Sequence, residues 1–237
     1  MAFEETAGED RLWFHSIIMN TLRTLFIRPI LLALCVASAS ASTNELPVTP
    51  TQRVELFDGK SLAGWTFVSK DTNADAASIW SAKDGAIHCL GKPNGYARTL
   101  TIWQNYKLHV EWRWLEGPGN SGIFVHLNQP DKVWPLCLEM QLATGNAGDI
   151  RANGGSRVRE LTAEKPGSVS RRTPGTEKPV GEWNSGDIIC RSNTVTVRVN
   201  GVLQNEVTGA SVAAGAIGLQ AEGKPVEFRN IVLEPLP

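Results

Sequence analysis

Apolar and polar residues alternate along much of the chain with a period of two. The clearest case is YKLHVEWRW, residues 106–114, in which leucine, valine and two tryptophans alternate with lysine, histidine, glutamate and arginine. Successive side chains of a strand point to opposite faces, so this segment predicts a strand with one buried and one polar face. The same alternation recurs in LCLEMQL, TVTVRV and VEFRNIVL, and no segment has a convincing helical period.

Short turn signals separate these segments, among them Asp58-Gly59, Asp84-Gly85 and Gly117-Pro118-Gly119. Asn200-Gly201 lies between two strand-like runs and predicts a two-residue hairpin turn, because both residues tolerate positive φ angles. About ten to twelve short strands with this punctuation predict an all-β fold. We expect a sandwich or jelly roll of two antiparallel sheets.

Residues 1–41 are predicted to be an upstream extension and a leader that precede the folded domain. From Met19 the sequence has two arginines, a short apolar run and small residues that offer cleavage sites ending at Ala39 or Ala41. This order is typical of a secretory signal peptide and predicts a secreted or periplasmic protein. The acidic residues before Met19 are untypical of the start of a signal peptide, so we expect translation to begin at Met19. A membrane anchor is the competing interpretation, although the apolar run is short for a bilayer span.

The rest of the chain divides by composition. Residues 42–53 are polar, contain two prolines and predict a linker, and residues 54–237 predict one domain. Within that domain, residues 143–182 are polar and rich in glycine, proline and arginine. A segment of this length without strand patterns predicts a loop insertion, either a functional lid or a solvated surface loop.

Charge and cysteine content narrow the function classes. The chain has 23 basic and 24 acidic residues, and removal of three and four with the leader leaves 20 of each. This near neutrality gives no support for a nucleic acid or an anionic membrane as partner. Three cysteines follow the leader, each in an apolar run: Cys89, Cys137 and Cys190. The odd count and wide spacing predict buried thiols, although one disulfide pair stays open.

Seven motifs occur in one order: ELFDGKSLAGW, WSAKDGAIHC, YKLHVEWRW with GNSGIFVH, CLEMQL, GEWNSGDIIC, VNGVLQNEV and AIGLQAEGKPVEFRNIVLEPL. Together, over residues 54–236, they resemble the 3-keto-disaccharide (3-keto-glycoside) hydrolase domain family. The resemblance implies a concanavalin/laminin-G-like jelly roll and cleavage of glycosides whose C3 hydroxyl is already a ketone. The chain departs from the family pattern at Leu138, where relatives often have tyrosine, and at Glu222, where many have histidine.

A 3-keto group acidifies the hydrogen on C2, so such a substrate can lose that proton, expel its C1 leaving group and later add water. This route requires a base near C2, a donor or cation for the enolate oxygen and an acid for the leaving oxygen. Glu139 is the predicted base, because an ionisable residue between apolar neighbours on a central strand costs free energy unless it is paired or used. Its structural alternative is a salt bridge to Arg113 or Arg229.

Other residues are candidates for the remaining roles. Gln141 shares the face of Glu139 and is expected to bind a sugar hydroxyl. Arg113 is a candidate for holding the enolate oxygen or a sugar hydroxyl, and Glu111 for orienting Arg113. The alternative for both is a cross-strand ion pair that contributes about 0–1 kcal/mol on a solvated face. In a conventional glycoside hydrolase, Glu111 and Glu139 would be the nominated carboxylate pair.

Five further residues are candidates from their local context. His126 is a candidate for proton transfer, since histidine titrates near neutral pH, and a packed histidine is its alternative. Asn120 and Ser121 lie in GNSG, which by itself is a turn signal, and the resemblance to the family implies that they form a site edge. Trp134 and Trp183 lie near predicted loops and are candidates for stacking on a sugar ring.

No cofactor is predicted from the sequence. No His/Cys/Asp cluster indicates a tightly bound zinc, while Ca²⁺ or another divalent cation stays open through Asp58 or Asp84. Phosphate loops, nucleophile elbows and dinucleotide fingerprints are absent from the sequence, so another protein must oxidise the sugar. A non-catalytic carbohydrate-binding module is the alternative function, because fold alone does not decide it.

Overall fold

The computed structural model describes residues 46–236, which fold into a sandwich of two β-sheets. A 3₁₀ turn, Ala76–Ser78, is the one helical element of that range, and no helix in it is long and apolar enough to cross a membrane. The strands are β1 Val54–Glu55, β2 Trp65–Ser69, β3 Trp80–Lys83, β4 Ala86–Cys89, β5 Gly95–Thr99, β6 Tyr106–Trp114, β7 Gly122–Asn128, β8 Leu136–Gln141, β9 Ile150–Asn153, β10 Ser168–Val169, β11 Asn184–Arg191, β12 Thr194–Val199, β13 Val202–Val207, β14 Ala216–Ala221 and β15 Val226–Pro235.

Each sheet joins strands that are distant in sequence. One sheet, here called the β6 sheet, has the order β13-β12-β11-β6-β15-β4-β3, with β1 also paired to β15. The other, here called the β8 sheet, has the order β10-β9-β8-β7-β14-β5-β2. All pairings between these strands are antiparallel. The predicted all-β jelly-roll sandwich is therefore confirmed.

The core lies between the inner faces of the two sheets. Every second residue of β6 is buried, and Trp112 and Trp114 are 0% and 3% exposed, as the alternation predicts. Across the sandwich, Met140 of β8 packs so closely on Gly186 of β11 that a Cβ there would lie 3.0 Å from its terminal methyl. Three further buried residues are cysteines with free thiols, which confirms the predicted buried thiols: Cys89, Cys137 and Cys190.

Two-residue turns join several neighbouring strands. Asn200 and Gly201 connect β12 to β13 with φ angles of 49° and 81°, which confirms the predicted hairpin turn. Asp84 and Gly85 connect β3 to β4 with φ angles of 52° and 78°. Both pairs use the left-handed region that hairpin turns of this length require.

Two segments predicted as connections contribute to the sheets or pack on them. Within the predicted linker 42–53, Val48 forms a parallel bridge with Trp103, and its N–H donates to the Ile102 carbonyl at 2.8 Å. The predicted loop insertion at 143–182 contains β9 and β10, which extend the β8 sheet, so the loop prediction is corrected there. The predicted leader, 1–41, lies outside the described residues.

Candidate active site

The outer face of the β8 sheet carries a polar cleft of about 220 Å³. Strand β8 forms its centre because Leu138 and Met140 point into the core, which turns Glu139 and Gln141 outward. Strand β9 pairs with β8 on one side, and β7 pairs with β8 on the other. The residues that line the cleft are Asn120, Trp134, Glu139, Gln141, Arg151, Asn153, Gln220 and Glu222.

Glu139 lies at the floor of the cleft and is only 2% exposed. Its Oε2 accepts a hydrogen bond of 2.6 Å from Nδ2 of Asn153, whereas its buried Oε1 has no hydrogen-bond partner. Burial above all, and the negative charge of Glu222, raise the pKa of Glu139 to about 7 against the opposing effects of Asn153 and Arg151. A carboxyl with this pKa exchanges a proton near neutral pH.

Gly122 on β7 provides the space that the Glu139 side chain occupies. A Cβ on Gly122 would lie 2.3 Å from Oε1 of Glu139 and 2.6 Å from its Cγ and Cδ. Such distances are far inside van der Waals contact, so any larger residue at position 122 would displace the carboxylate. The glycine of the GNSG turn thus sets where the predicted base lies.

Arg151 and Glu222 add opposite charges to the cleft. Arg151 lies directly across from Glu139 in the pairing of β9 with β8. Glu222 follows β14 and forms a backbone bridge with Asn120. Burial raises the pKa of the half-buried Glu222, and the charge of Arg151 opposes that rise. The cleft therefore contains two carboxyls whose proton affinities are raised and one cation that acts on both.

Four buried side-chain atoms without a hydrogen-bond partner belong to this cleft. They are Oε1 of Glu139, Oδ1 of Asn120, and both the Oε1 and Nε2 atoms of Gln220, which is 2% exposed. Buried polar atoms are nearly always paired in folded proteins. Their concentration here indicates a place where a ligand's polar groups complete the hydrogen bonding.

Three other predicted binding residues contribute in different ways. Trp134 is 48% exposed and lines the cleft, so its indole is available to a ligand. Gln141 is fixed because its Oε1 accepts from the backbone N–H groups of Leu142 and Ala143 at 3.0 and 2.9 Å. Ser121 is buried and donates to the Gln220 carbonyl at 2.7 Å, so it positions the neighbouring strand and does not line the cleft.

Glu111 and Arg113 do not join the cleft. They lie on the outer face of the β6 sheet, on the other side of the sandwich, because β6 turns its tryptophans into the core. Glu111 accepts from Arg229 Nε at 2.7 Å, and Arg113 donates to Glu227. The ion-pair alternative describes both residues, and the nominated pair of Glu111 and Glu139 cannot flank one bond. Because Arg113 and Arg229 lie on the β6 sheet with other partners, the alternative for Glu139, a salt bridge to one of them, is excluded.

Trp183 and His126 are also away from the cleft. Trp183 lies under the guanidinium groups of Arg229 and Arg113, whose Cζ atoms are 4.0 and 4.6 Å from the centre of its ring. Trp183 therefore packs on the ionic groups of the β6 sheet through cation–π contacts. This contact corrects its predicted role as a sugar platform at the site.

His126 is buried at a β-bulge and points away from the cleft. The register of β7 shifts between Val125 and Asn128, and His126 has a φ of 53°, so the alternation that would place it beside Phe124 is broken. Its ring packs edge-on against Tyr106, and Nδ1 lies 3.0 Å from the Val212 carbonyl. Burial lowers the pKa of His126 to about 4. It is the packed histidine of the alternative interpretation.

The described residues contain no group of three or more His, Cys, Asp or Glu side chains placed to hold a metal ion. The two aspartates considered for Ca²⁺ have other neighbours. Asp58 Oδ1 accepts from the backbone N–H groups of Lys60 and Ser61 at 2.8 and 2.7 Å. Oδ2 of Asp84 lies 3.9 Å from Nζ of Lys83. Binding of Ca²⁺ or another divalent cation, which the sequence leaves open, stays a prediction.

Sequence reasoning missed half of the cleft. Gln220 and Glu222 alternate with buried Leu219 and Ala221, the same signal that identified Glu139, so the pattern could have found both. The residues that β9 contributes had no such signal, because their segment is polar and its strand has only four residues.

The chain matches the family model described as the 3-keto-alpha-glucoside-1,2-lyase-like domain over residues 52–234. It belongs to this family. The resemblance inferred from the seven ordered motifs is therefore confirmed, and the family region includes the cleft and every strand that lines it.

One curated protein is similar to this chain in sequence, and two solved structures are similar to it in fold. The 3-keto-disaccharide hydrolase of Bacteroides thetaiotaomicron is 25% identical over 246 residues, which cover 84% of this chain and 83% of that protein. A candidate glycosyl hydrolase of Parabacteroides distasonis superposes with a TM-score of 0.59 at 19% identity, over 78% of this chain and 94% of that one. The β-glucanase of Bacillus licheniformis superposes with a TM-score of 0.52 at 12% identity, over 74% and 94%. The two structures share the fold.

Proposed function

We propose that this family member is an extracytoplasmic enzyme that cleaves 3-keto glycosides or disaccharides by elimination and hydration. Membership of the family and the name of the Bacteroides relative support a glycoside-cleaving function on such sugars. The observation that carries the finer proposal is the state of Glu139, a buried carboxyl with one oxygen held by Asn153 and the other unpaired at the cleft floor. That arrangement suits a single base whose free oxygen receives a proton from the substrate.

The proposed reaction begins at C2 of the keto sugar. Glu139 takes the C2 proton, and the electrons of the C2–H bond form an enolate with the C3 oxygen. When the enolate collapses, the C3 carbonyl returns, a C1–C2 double bond forms and the C1–O bond breaks, with its electrons on the leaving oxygen. Water then adds at C1, and C2 regains a proton. The net change is hydrolysis to the aglycone and a free 3-keto sugar.

The pKa of Glu139 fits this role. A general base works best when its pKa lies near the working pH, because it is then both ionised and strongly basic. Burial raises the pKa of Glu139 to about 7, which gives a stronger base than an exposed glutamate. The hydrogen bond from Asn153 holds the carboxylate in one orientation while the other oxygen acts.

We assign to Arg151 the role that the sequence predicts for Arg113, which is to stabilise the enolate oxygen. Its charge acts on the same carboxyls that line the cleft, and it lies opposite Glu139 across the β8–β9 pairing. A cation near the developing enolate oxygen stabilises the transition state more than the neutral ketone. Gln141, Asn120 and Gln220 offer amide groups for the sugar hydroxyls, and the exposed indole of Trp134 suits stacking on an apolar sugar face.

The location and the mode of cleavage have separate support. The leader pattern in 1–41 supports export from the cytoplasm, and N-terminal sequencing of the mature protein tests it by the predicted ends at Ala39 or Ala41. The family description names a lyase, which accords with an elimination step. The ketone itself makes that step accessible, so no second carboxylate in the conventional geometry is required.

Aglycone release from a 3-keto glucoside tests the proposal. We expect the purified protein to release the aglycone from the 3-keto glucoside and not from the unoxidised glucoside. Glu139→Gln should lose at least about 1,000-fold in kcat, whereas the control Glu111→Gln, on the opposite face, should keep it. Full activity in Glu139→Gln would contradict the proposal.

Two other functions give different results in the same assay. Glu139 and Glu222 share the cleft, which favours a conventional two-carboxylate hydrolase as the second candidate. That enzyme would cleave the unoxidised glucoside as well. A non-catalytic carbohydrate-binding module would bind either sugar saturably and release no aglycone from it.

A further inference from the structure

We infer that Glu222 is a second catalytic residue of this cleft, the acid that protonates the leaving oxygen and later activates water. This assignment deepens the proposed function and rests on it. It concerns a residue that the sequence patterns left without a role. The structure brings it into the same cleft as Glu139 from a different strand.

Backbone geometry aims Glu222 at the cleft. Ala221, the last residue of β14, is buried in the core, so Gln220 and Glu222 on either side of it share the outer face. The bridge between Glu222 and Asn120 ties this end of the strand to the turn before β7. The backbone of Glu222 is therefore held beside the cleft by two chain segments, although it lies just beyond a regular strand.

Depth separates the two carboxyls. Glu139 is 2% exposed at the floor, whereas Glu222 is half-buried and closer to solvent. A sugar ring bound over Glu139 directs C2 toward the floor, and its leaving group must depart toward solvent. The water that replaces the leaving group must also enter from that side. Glu222 is the carboxyl on that path.

The charges allow one proton to be shared. Two carboxyls in one partly desolvated cleft resist double ionisation, and the singly protonated pair exists in two forms. The productive form has Glu139 ionised and Glu222 protonated. The positive charge of Arg151 acts on both groups and stabilises that singly charged pair.

The assignment closes the proton balance of the reaction. Glu139 gains the C2 proton while Glu222 gives its proton to the leaving oxygen as the C1–O bond breaks. In the hydration step Glu222 takes a proton from the attacking water, and Glu139 returns its proton to C2. Both residues end in their starting states, and one water is consumed.

The test compares two 3-keto glucosides that differ in leaving group, one 4-nitrophenyl and one methyl. A phenolate leaves without much help, whereas an alkoxide needs a proton, so loss of the acid should slow the methyl substrate selectively. We expect Glu222→Gln to lower the methyl-to-nitrophenyl ratio of kcat about 100-fold relative to wild type. Glu222→His, which replaces the acid by another proton donor, should restore part of that ratio.

Each outcome separates the two proposals. If wild type releases neither aglycone, the proposed function fails and the assignment fails with it. If wild type releases both and Glu222→Gln slows the two substrates equally, or slows neither, only the assignment of Glu222 fails. Both rates are measured on one protein preparation, so an unfolded fraction lowers both by the same factor. The ratio therefore reports the folded molecules alone, and incomplete folding of a variant does not alter it.

Discussion

Gly122 lies so close to Glu139 that a Cβ at position 122 would be 2.3 Å from the carboxylate Oε1. We expect Gly122→Ala to displace the carboxylate and lower kcat about 100-fold, because a shift of about 1 Å in a catalytic group can have that effect. The far-UV circular dichroism spectrum should stay that of a β-sandwich. The control is Gly167→Ala, where a Cβ has open space. Wild-type kcat in Gly122→Ala would show that the position of Glu139 does not matter.

The pH dependence of stability reports the burial of Glu139. Its pKa rises from 4.5 to about 7 on folding. A raised carboxyl pKa stabilises the fold below pH 4.5, and this contribution is lost as pH rises through 7. The loss amounts to roughly 3 kcal/mol at most, from about 1.4 kcal/mol per pKa unit. In Glu139→Gln this dependence is absent.

Urea unfolding at pH 4.5 and pH 8 measures the effect. We expect the free energy of unfolding of Glu139→Gln to gain on that of wild type as the pH increases between these values. An offset between the two proteins that is the same at both pH values would show that Glu139 titrates like an exposed glutamate.

Asn153 connects the 143–182 segment to the chemistry. Its Nδ2 donates to Glu139, and this hydrogen bond lowers the pKa of the carboxyl. In Asn153→Ala we expect the acid limb of the pH profile of kcat/KM to move to higher pH and kcat to fall at least about 10-fold. The exposed Asn193→Ala, on the turn between β11 and β12, serves as control. An acid limb at the same pH in Asn153→Ala and in wild type would show that the hydrogen bond from Asn153 does not affect the catalytic carboxyl.

The two tryptophans considered for sugar stacking should respond differently. Trp134 is 48% exposed at the cleft, while Trp183 lies under two guanidinium groups on the other sheet. We expect Trp134→Ala to raise KM about 5- to 10-fold, in line with about 1 kcal/mol for an aromatic contact. Trp183→Ala should leave KM unchanged and lower the melting temperature. The reverse pattern would place the substrate on the β6 sheet.

The alternation in the sequence correctly predicts which side chains of a strand are buried and which point outward. It does not predict which of the two sheets the strand joins. The period of two in β6 correctly buried Trp112 and turned Arg113 outward, and the same rule turned Glu139 outward from β8. A pattern within one strand cannot say which sheet that strand joins. The sequence therefore predicts one site that contains both Arg113 and Glu139, whereas their polar faces lie on opposite sides of the sandwich.

Local irregularities limited the rest of the prediction. The bulge at His126 adds a residue to one strand, which inverts the alternation from that point, and no residue type in the segment indicates it. Arg151 and Asn153 belong to a four-residue strand inside a polar segment, so their pairing with β8 depends on long-range contacts. Such pairing is decided by the whole sheet and not by local propensity.

Removal of the C2 proton by Glu139 is tested most directly by the fate of the C2 hydrogen. Cleavage of a 3-keto glucoside in D₂O, followed by NMR of the 3-keto sugar, measures how much deuterium the enzyme places on C2; the product incubated without enzyme corrects for spontaneous exchange. Removal of the C2 proton by Glu139 predicts slower turnover of a C2-deuterated substrate. It also predicts deuterium at C2 beyond that background in every turnover in which the proton on Glu139 exchanges with solvent before it returns to C2. Complete retention of the original C2 hydrogen, with no isotope effect on kcat/KM, would contradict the account.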